Sequence, residues 1–157
     1  MPSANAMTVE EFQAALPAGA RLIGLDLGTK TIGVAVSDVN RSVATSLETI
    51  KRTRFRDDLA RLNDIVAHYE VGGVVIGLPL NMDGSEGPRA QSARAYARNL
   101  EAATGLPVLL WDERLSTVAA ERALLAADAS RKRRAEIIDK VAAAYILQGV
   151  LDRLQNL

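Results

Sequence analysis

The run Leu22-Ile-Gly-Leu-Asp-Leu-Gly-Thr-Lys-Thr-Ile-Gly-Val-Ala-Val36 is apolar almost throughout, broken by one acid and a Gly-Thr-Lys turn. Under the two-residue period of a strand, Leu22, Gly24, Asp26 and Gly28 share one face and Ile23, Leu25 and Leu27 the other, so both faces read as covered. Strands are expected at 21–27, 31–37 and about 43–51, and the short turn Gly28-Thr-Lys30 makes the first two an antiparallel hairpin. Ahead of them lies a short amphipathic piece, Val9 to Leu16, broken at Pro17-Ala-Gly19. Beyond them the period lengthens, with Phe55, Leu59, Leu62, Ile65 and Val66 at helical spacing over 54–69. Gly72 to Leu78 reads as a buried strand stopped by Pro79, and a Gly-, Pro- and Asp-rich loop from Asn81 to Pro88 leads into a helix to about Ala103, closed by Gly105 and Pro107. Val108-Leu-Leu-Trp111 is the next strand, Ser116 or Thr117 can cap the helix after it, and a long helix runs from about Ala135 to Leu154. Strands that alternate with helices after an opening meander predict an α/β fold, a mixed sheet with helices on both faces.

Composition narrows this picture. At 157 residues, 48% of them hydrophobic, the chain can fill one core, expected as a single domain over 20–157 behind an N-terminal extension over 1–19. Net charge is zero, so basic surface must be local. The absence of Cys removes disulfides, thiol nucleophiles and thiolate zinc sites, and a single His, His68, removes His-rich metal sites and argues against a Ser-His-Asp triad. His68 ends a helical pattern and reads as solvated or cap-like. No apolar run approaches the roughly twenty residues that span a bilayer, so no membrane is expected as a partner and the location expected is cytoplasmic.

Three acids stand where solvated charge is not the obvious explanation. Asp26 interrupts a doubly covered strand, where an unpaired carboxylate would be costly; it is either a turn residue at the edge of the core or a carboxylate held for a metal ion or phosphate. Asp112 and Glu113 follow a buried strand, at the end where open α/β sheets place their sites. Asp139 shares a helical face with Ala135, Ala142, Ala143 and Ile146, which turns it toward the sheet, or else it is a first-turn acid favoured by the helix dipole. A hairpin, a strand end and a helix could converge three carboxylates. Oxygen-only ligation without His or Cys points to Mg²⁺ or Mn²⁺. Two such ions about 4 Å apart can stabilise both the attacking and the leaving oxygen of phosphodiester hydrolysis.

These residues carry a resemblance. Leu25-Asp-Leu-Gly-Thr-Lys30 with Gly33-Val-Ala35 and Ser37-Asp38, Gly77-Leu-Pro-Leu80 with Met82-Asp-Gly84, Asp112-Glu-Arg-Leu115, and Ile138-Asp-Lys140 with Ala143 and Ile146-Leu-Gln148 resemble, in order and spacing over about residues 20–154, the YqgF/RuvX family. The resemblance implies a ribonuclease H-like fold, a five-stranded mixed sheet of order 3-2-1-4-5 with strand 2 antiparallel to the rest. It implies a metal-dependent nuclease that processes the 5′ end of precursor 16S rRNA in ribosome biogenesis, with a Holliday junction resolvase as the alternative. It assigns Asp26, Glu113 and Asp139 as catalytic and metal-binding acids. One departure stands out: RuvC-type enzymes carry their second acid at the end of the fourth strand, whereas Val74-Val-Ile-Gly-Leu-Pro79 has none. Glu113, on the fifth strand, is thereby expected roughly one 4.8 Å strand spacing farther from Asp26.

Basic residues would take the phosphate backbone. Lys30 and Arg114 flank proposed catalytic acids, and Arg131, Lys132, Arg133 and Arg134 precede the helix of Asp139. Lys51-Arg-Thr-Arg-Phe-Arg56 and Arg89, Arg94 and Arg98 are further candidates. The expected partner is nucleic acid, precursor rRNA or branched DNA, and junction cleavage would require a homodimer with two sites. Two competing readings remain: Asp26-Leu-Gly-Thr29 also resembles the phosphate loop of the actin, Hsp70 and sugar-kinase superfamily, and the fold could serve as a binding module without chemistry.

Overall fold

A computed structural model describes residues 7–115 and 131–157, with the backbone alone over 131–139. In chain order come α1 (Val9–Ala15), β1 (Arg21–Leu27), β2 (Thr31–Ser37), β3 (Ala44–Lys51), α2 (Phe55–Tyr69), β4 (Val71–Leu78), α3 (Pro88–Thr104), β5 (Val108–Asp112), one 3₁₀ turn (Glu113–Leu115) and α4 (Arg131–Gln155). The helix expected after Ser116 or Thr117, and that cap, lie outside the described residues.

The sheet has the order β3-β2-β1-β4-β5. β2 is antiparallel to β1 and β3, while β1 pairs with β4 and β4 with β5 in parallel. This is the expected α/β arrangement. Both faces of β1 are covered, as its unbroken apolar run requires. Ile23 and Leu25 pack with Val74 and Ile76 under α2 and α3, through Leu62, Ile65, Tyr96 and Leu100. Leu22, Val75, Leu109 and Trp111 face the other way, under Ile146, Leu147, Val150 and Leu151 of α4 and Phe12 of α1.

Local signals set the ends of the elements. Thr8 and Glu11 form a reciprocal capping box at α1, and α3 starts at Pro88 and ends against Gly105 in the left-handed region. Ser37, whose hydroxyl accepts the Leu22 N–H at 2.9 Å, pins the end of β2 to the start of β1. Asp38 accepts the Ser42 and Val43 N–H groups at 2.8 and 3.0 Å and shapes the β2–β3 connection. Those bonds hold its carboxyl below the usual range.

α4 docks closely because Gly24 has no side chain. A Cβ there would stand 2.7 Å from Leu147 Cβ and 3.0 Å from the Ala143 carbonyl oxygen. The direction of α4 follows from two bonds: Ser46 Oγ donates to the Lys140 carbonyl, and Gln148 Oε1 accepts the Ala44 N–H. α4 thus runs antiparallel to β3 and β1. It begins at Arg131, four residues before the expected start. The run Arg131 to Arg134 therefore lies within the helix rather than ahead of it. Asp139 is eight residues inside, which removes the first-turn dipole explanation for an acid at this position.

Candidate active site

Asp26 sits one residue before the end of β1, opposite Gly33 of β2, and is 2% exposed. It follows Gly24 by the strand period, so its side chain is on the α4 face. Leu25 pairs with Ile76, and the next step along both parallel strands brings Asp26 beside Gly77.

Gly77 is where the second acid arrives. A Cβ built there would meet Glu113 Oε1 at 2.7 Å and Glu113 Cγ at 3.2 Å. Glu113, on the 3₁₀ turn directly after β5, therefore lays its side chain back over β4. The extra strand spacing expected between Asp26 and Glu113 is not what the side chains show. The carboxylate fills the space that a side chain from β4 would have taken. The end of β4 carries no acid because its place on this face is taken from β5, and glycine is the residue that leaves it open.

The third acid is placed by backbone alone. Residues 143 and 147 lie over Gly24; one helical turn back, about 6 Å, and two strand residues on, about 6.7 Å, bring residue 139 level with Asp26. The side chain of Asp139, like those of Arg131, Lys132, Arg133 and Arg134, lies outside the described residues. Among the described residues no three His, Cys, Asp or Glu side chains form a metal-binding group. The described donor set is thus two carboxylates on one face, the oxygen chemistry that Mg²⁺ or Mn²⁺ takes. Gly24, on the same face as Asp26, makes room for α4.

The neighbouring residues have other tasks. Asp112 accepts the Arg114 backbone N–H at 2.9 Å and the guanidinium through Nη2 at 2.7 Å. Arg114 Nη1 also donates to the Met82 carbonyl at 3.4 Å, beside Gly84, which has φ of +87°. This clasp ties the loop after β4 to the end of β5. It holds the Asp112 carboxyl below its usual range and raises Arg114. Arg114, expected on phosphate, is engaged by Asp112. Asp83 accepts from the Ser85 hydroxyl and N–H, which lowers its pKa. Lys30 is exposed at the tip of the β1–β2 turn. Of the wider basic clusters, Arg54 pairs with Asp57 and Arg94 with Glu86. His68 is exposed, its ring edge-on to Tyr69, as a solvated residue should be. Gly77 is the site residue that the sequence did not single out by role; its signal was the acid missing from β4.

Residues 20–153 match the family model for RuvX, described as Holliday junction resolvase. A protein of Roseobacter denitrificans is 69% identical over 147 residues, covering 92% of this chain and 90% of its own. One of Ruegeria pomeroyi is 67% identical over 150 residues, covering 96% and 97%. Both carry the name "Putative pre-16S rRNA nuclease". Among solved structures, Thermus thermophilus RuvC in complex with a Holliday junction substrate superposes with a TM-score of 0.54 at 14% identity, covering 87% of this chain and 96% of that one. That likeness is one of fold, ribonuclease H-like, with the strand order described above. With its motifs in order and its family model matched from β1 into the last turn of α4, the chain belongs to the RuvX family.

Proposed function

We propose that this protein is a nuclease that hydrolyses phosphodiester bonds of structured nucleic acid, with the 5′ end of precursor 16S rRNA as its substrate in the cytoplasm. The observation that carries the reading is the meeting of Asp26 and Glu113 on one sheet face over Gly77, a buried carboxylate and a half-buried one brought together from the ends of two strands. The names of the relatives support rRNA as the substrate, and the family description supports branched DNA as the competing one.

Asp26, Glu113 and Asp139 are the residues proposed to hold Mg²⁺ or Mn²⁺. When bound, the cation supplies positive charge to the phosphate oxygens and lowers the pKa of a water. The chain contributes position and medium. β1 fixes Asp26 in a backbone ladder, and the turn after β5 fixes Glu113. Burial under α4 keeps the local dielectric low, so charge on a substrate is felt strongly. Lys30 and the run Arg131 to Arg134 are proposed to meet the flanking phosphates.

The test is cleavage of a precursor 16S rRNA fragment beside a four-way DNA junction, with Mg²⁺ or Mn²⁺ and with EDTA. Asp26→Asn keeps the melting temperature and lowers the cleavage rate by on the order of 10³-fold or more. Wild-type rates in EDTA or in Asp26→Asn would sink the proposal. Cleavage of the junction alone, by a homodimer, would transfer it to DNA, and binding without any cleavage would leave a nucleic-acid-binding module.

A further inference from the structure

The two faces of β1 end differently. Beyond Asp26, on the α3 side of the sheet, an open cleft of about 470 Å³ is lined by Thr29, Arg52, Thr53, Arg89 and Ser92 over an apolar floor that includes Leu27. Its two arginines come from segments far apart in sequence and are held in place. Arg52 donates Nη1 to the Gly28 carbonyl at 2.6 Å, and its guanidinium lies 5.5 Å from the centre of the Tyr96 ring. Arg89 donates Nη2 to the Leu27 carbonyl at 3.3 Å. Burial pushes the Tyr96 hydroxyl up to about 12, so the ring stays neutral and offers Arg52 a π face without a counter-charge.

These contacts orient the guanidinium groups and leave their charge uncompensated. Carbonyl oxygens do not neutralise a cation. Among the described residues, neither arginine has a carboxylate within ion-pair distance, whereas Arg54, Arg61, Arg94, Arg114 and Arg153 each do. Asp58 accepts the Thr53 N–H at 3.2 Å and is not part of the lining, and among the described residues no acid lines the cleft. Each guanidinium has five N–H donors and spends one on backbone, so donors remain. Two fixed cations, three hydroxyls and no carboxylate are the chemistry of a phosphate site.

We propose that this cleft receives a backbone phosphate of the bound nucleic-acid strand, flanking the phosphodiester that lies at Asp26. Asp26 and Leu27 are consecutive and face opposite ways, so the Gly28-Thr29 turn is the ridge between the two places. A strand crossing the carboxyl end of β1 passes over this ridge from one to the other. The identity of the ligand as a polynucleotide strand rests on the nuclease reading; the anion site itself does not.

The experiment measures binding of a single-stranded RNA 12-mer and of a four-way DNA junction across a salt series, in wild type, Arg89→Gln and Ser92→Glu. Arg89 and Ser92 are exposed, so both variants should fold, and their melting temperatures are measured beside binding. Arg89→Gln is expected to weaken binding several-fold and to lower the slope of log K against log salt by about 0.7 on RNA, one single-strand phosphate contact. Ser92→Glu should weaken binding at least as much by setting a negative charge in the cleft. A single neutral methylphosphonate in the RNA should weaken wild type at one position and leave Arg89→Gln unaffected there. Unchanged affinity and slope in both variants would overturn the proposal. So would protection of the cleft by a free nucleoside monophosphate without any change in strand binding, which would make it a small-molecule site. Asp26→Asn run alongside separates the two readings: loss of cleavage with an intact slope tests the nuclease, and loss of slope in Arg89→Gln tests the cleft.

Discussion

A methyl group added at Gly77 would stand 2.5 Å from Ile146 Cδ1 and 2.7 Å from Glu113 Oε1, closer than settled side chains come. The Ile146 end can turn aside, and so can the Glu113 carboxylate, but the latter moves an acid away from Asp26. Gly77→Ala is therefore expected to cost about 1–3 kcal/mol of stability by overpacking and, separately, to lower cleavage by about 10²-fold, the scale of a displacement near 1 Å at a reacting centre. The two effects come apart in a double mutant. With Glu113→Gln in place, Gly77→Ala should still lower the melting temperature and should have little further effect on rate, since the displaced group is already disabled. Additive rate losses would show that Gly77 acts on activity by some route other than Glu113. Asp26 was conspicuous as an acid in an apolar run, whereas Glu113 stood with Asp112 at a strand end and was chosen over it by the resemblance alone. The sequence could not show the distance between Asp26 and Glu113, because a side chain that folds back over the neighbouring strand leaves no mark in spacing.

At the level of elements, the Asp112–Arg114 clasp joins the loop after β4 to the end of β5 and so fixes the turn that carries Glu113. Arg114→Ala should loosen that loop, raising hydrogen exchange across residues 81–87 and lowering cleavage through Glu113, with a small loss of global stability. Acid should act in the same direction. The Asp112 pKa is lower folded than unfolded, so its contribution is present above the ordinary carboxylate range and is lost as pH falls through the lowered folded value. Melting curves of wild type and Arg114→Ala are expected to differ at neutral pH and to converge in acid. A gap that does not narrow at all as the solution is acidified would mean that the clasp is not held by that charge. Secondary structure was legible in the sequence to within a residue or two in β1, β2 and α2, where period and turn residues agree. It was least legible at the start of α4: Arg131 to Arg134 have no apolar period, and a basic first turn runs against the helix dipole, so local pattern placed the boundary at Ala135. Arg114 was ambiguous for a similar reason, since charge beside an acid reads equally as a phosphate ligand or as that acid's partner, and the structure shows the second contact.

For the whole molecule, strand order was legible only through resemblance, because nothing in local periodicity says that β1 lies between β2 and β4. The structure shows what that order entails. One side of the sheet is closed by α2 and α3, which come from the middle of the chain; the other is closed by α4, which comes after every strand. A chain ending at residue 130 should therefore keep the elements that form one layer and expose Leu22, Val75, Leu109 and Trp111. It is expected to bind the dye ANS, to lose near-ultraviolet signal and to aggregate; a folded, monomeric fragment with a cooperative melt would refute this. The same order has a consequence in time. At about 5–20 residues per second, on the order of ten seconds separate the emergence of Asp26 from that of the helix that covers its face. Until then the face that carries Asp26 is bare, and the helix that brings the third acid of the proposed site has not yet been made. A protein proposed to trim the ribosome's own RNA would thus be unable to cut while it is still being made on one.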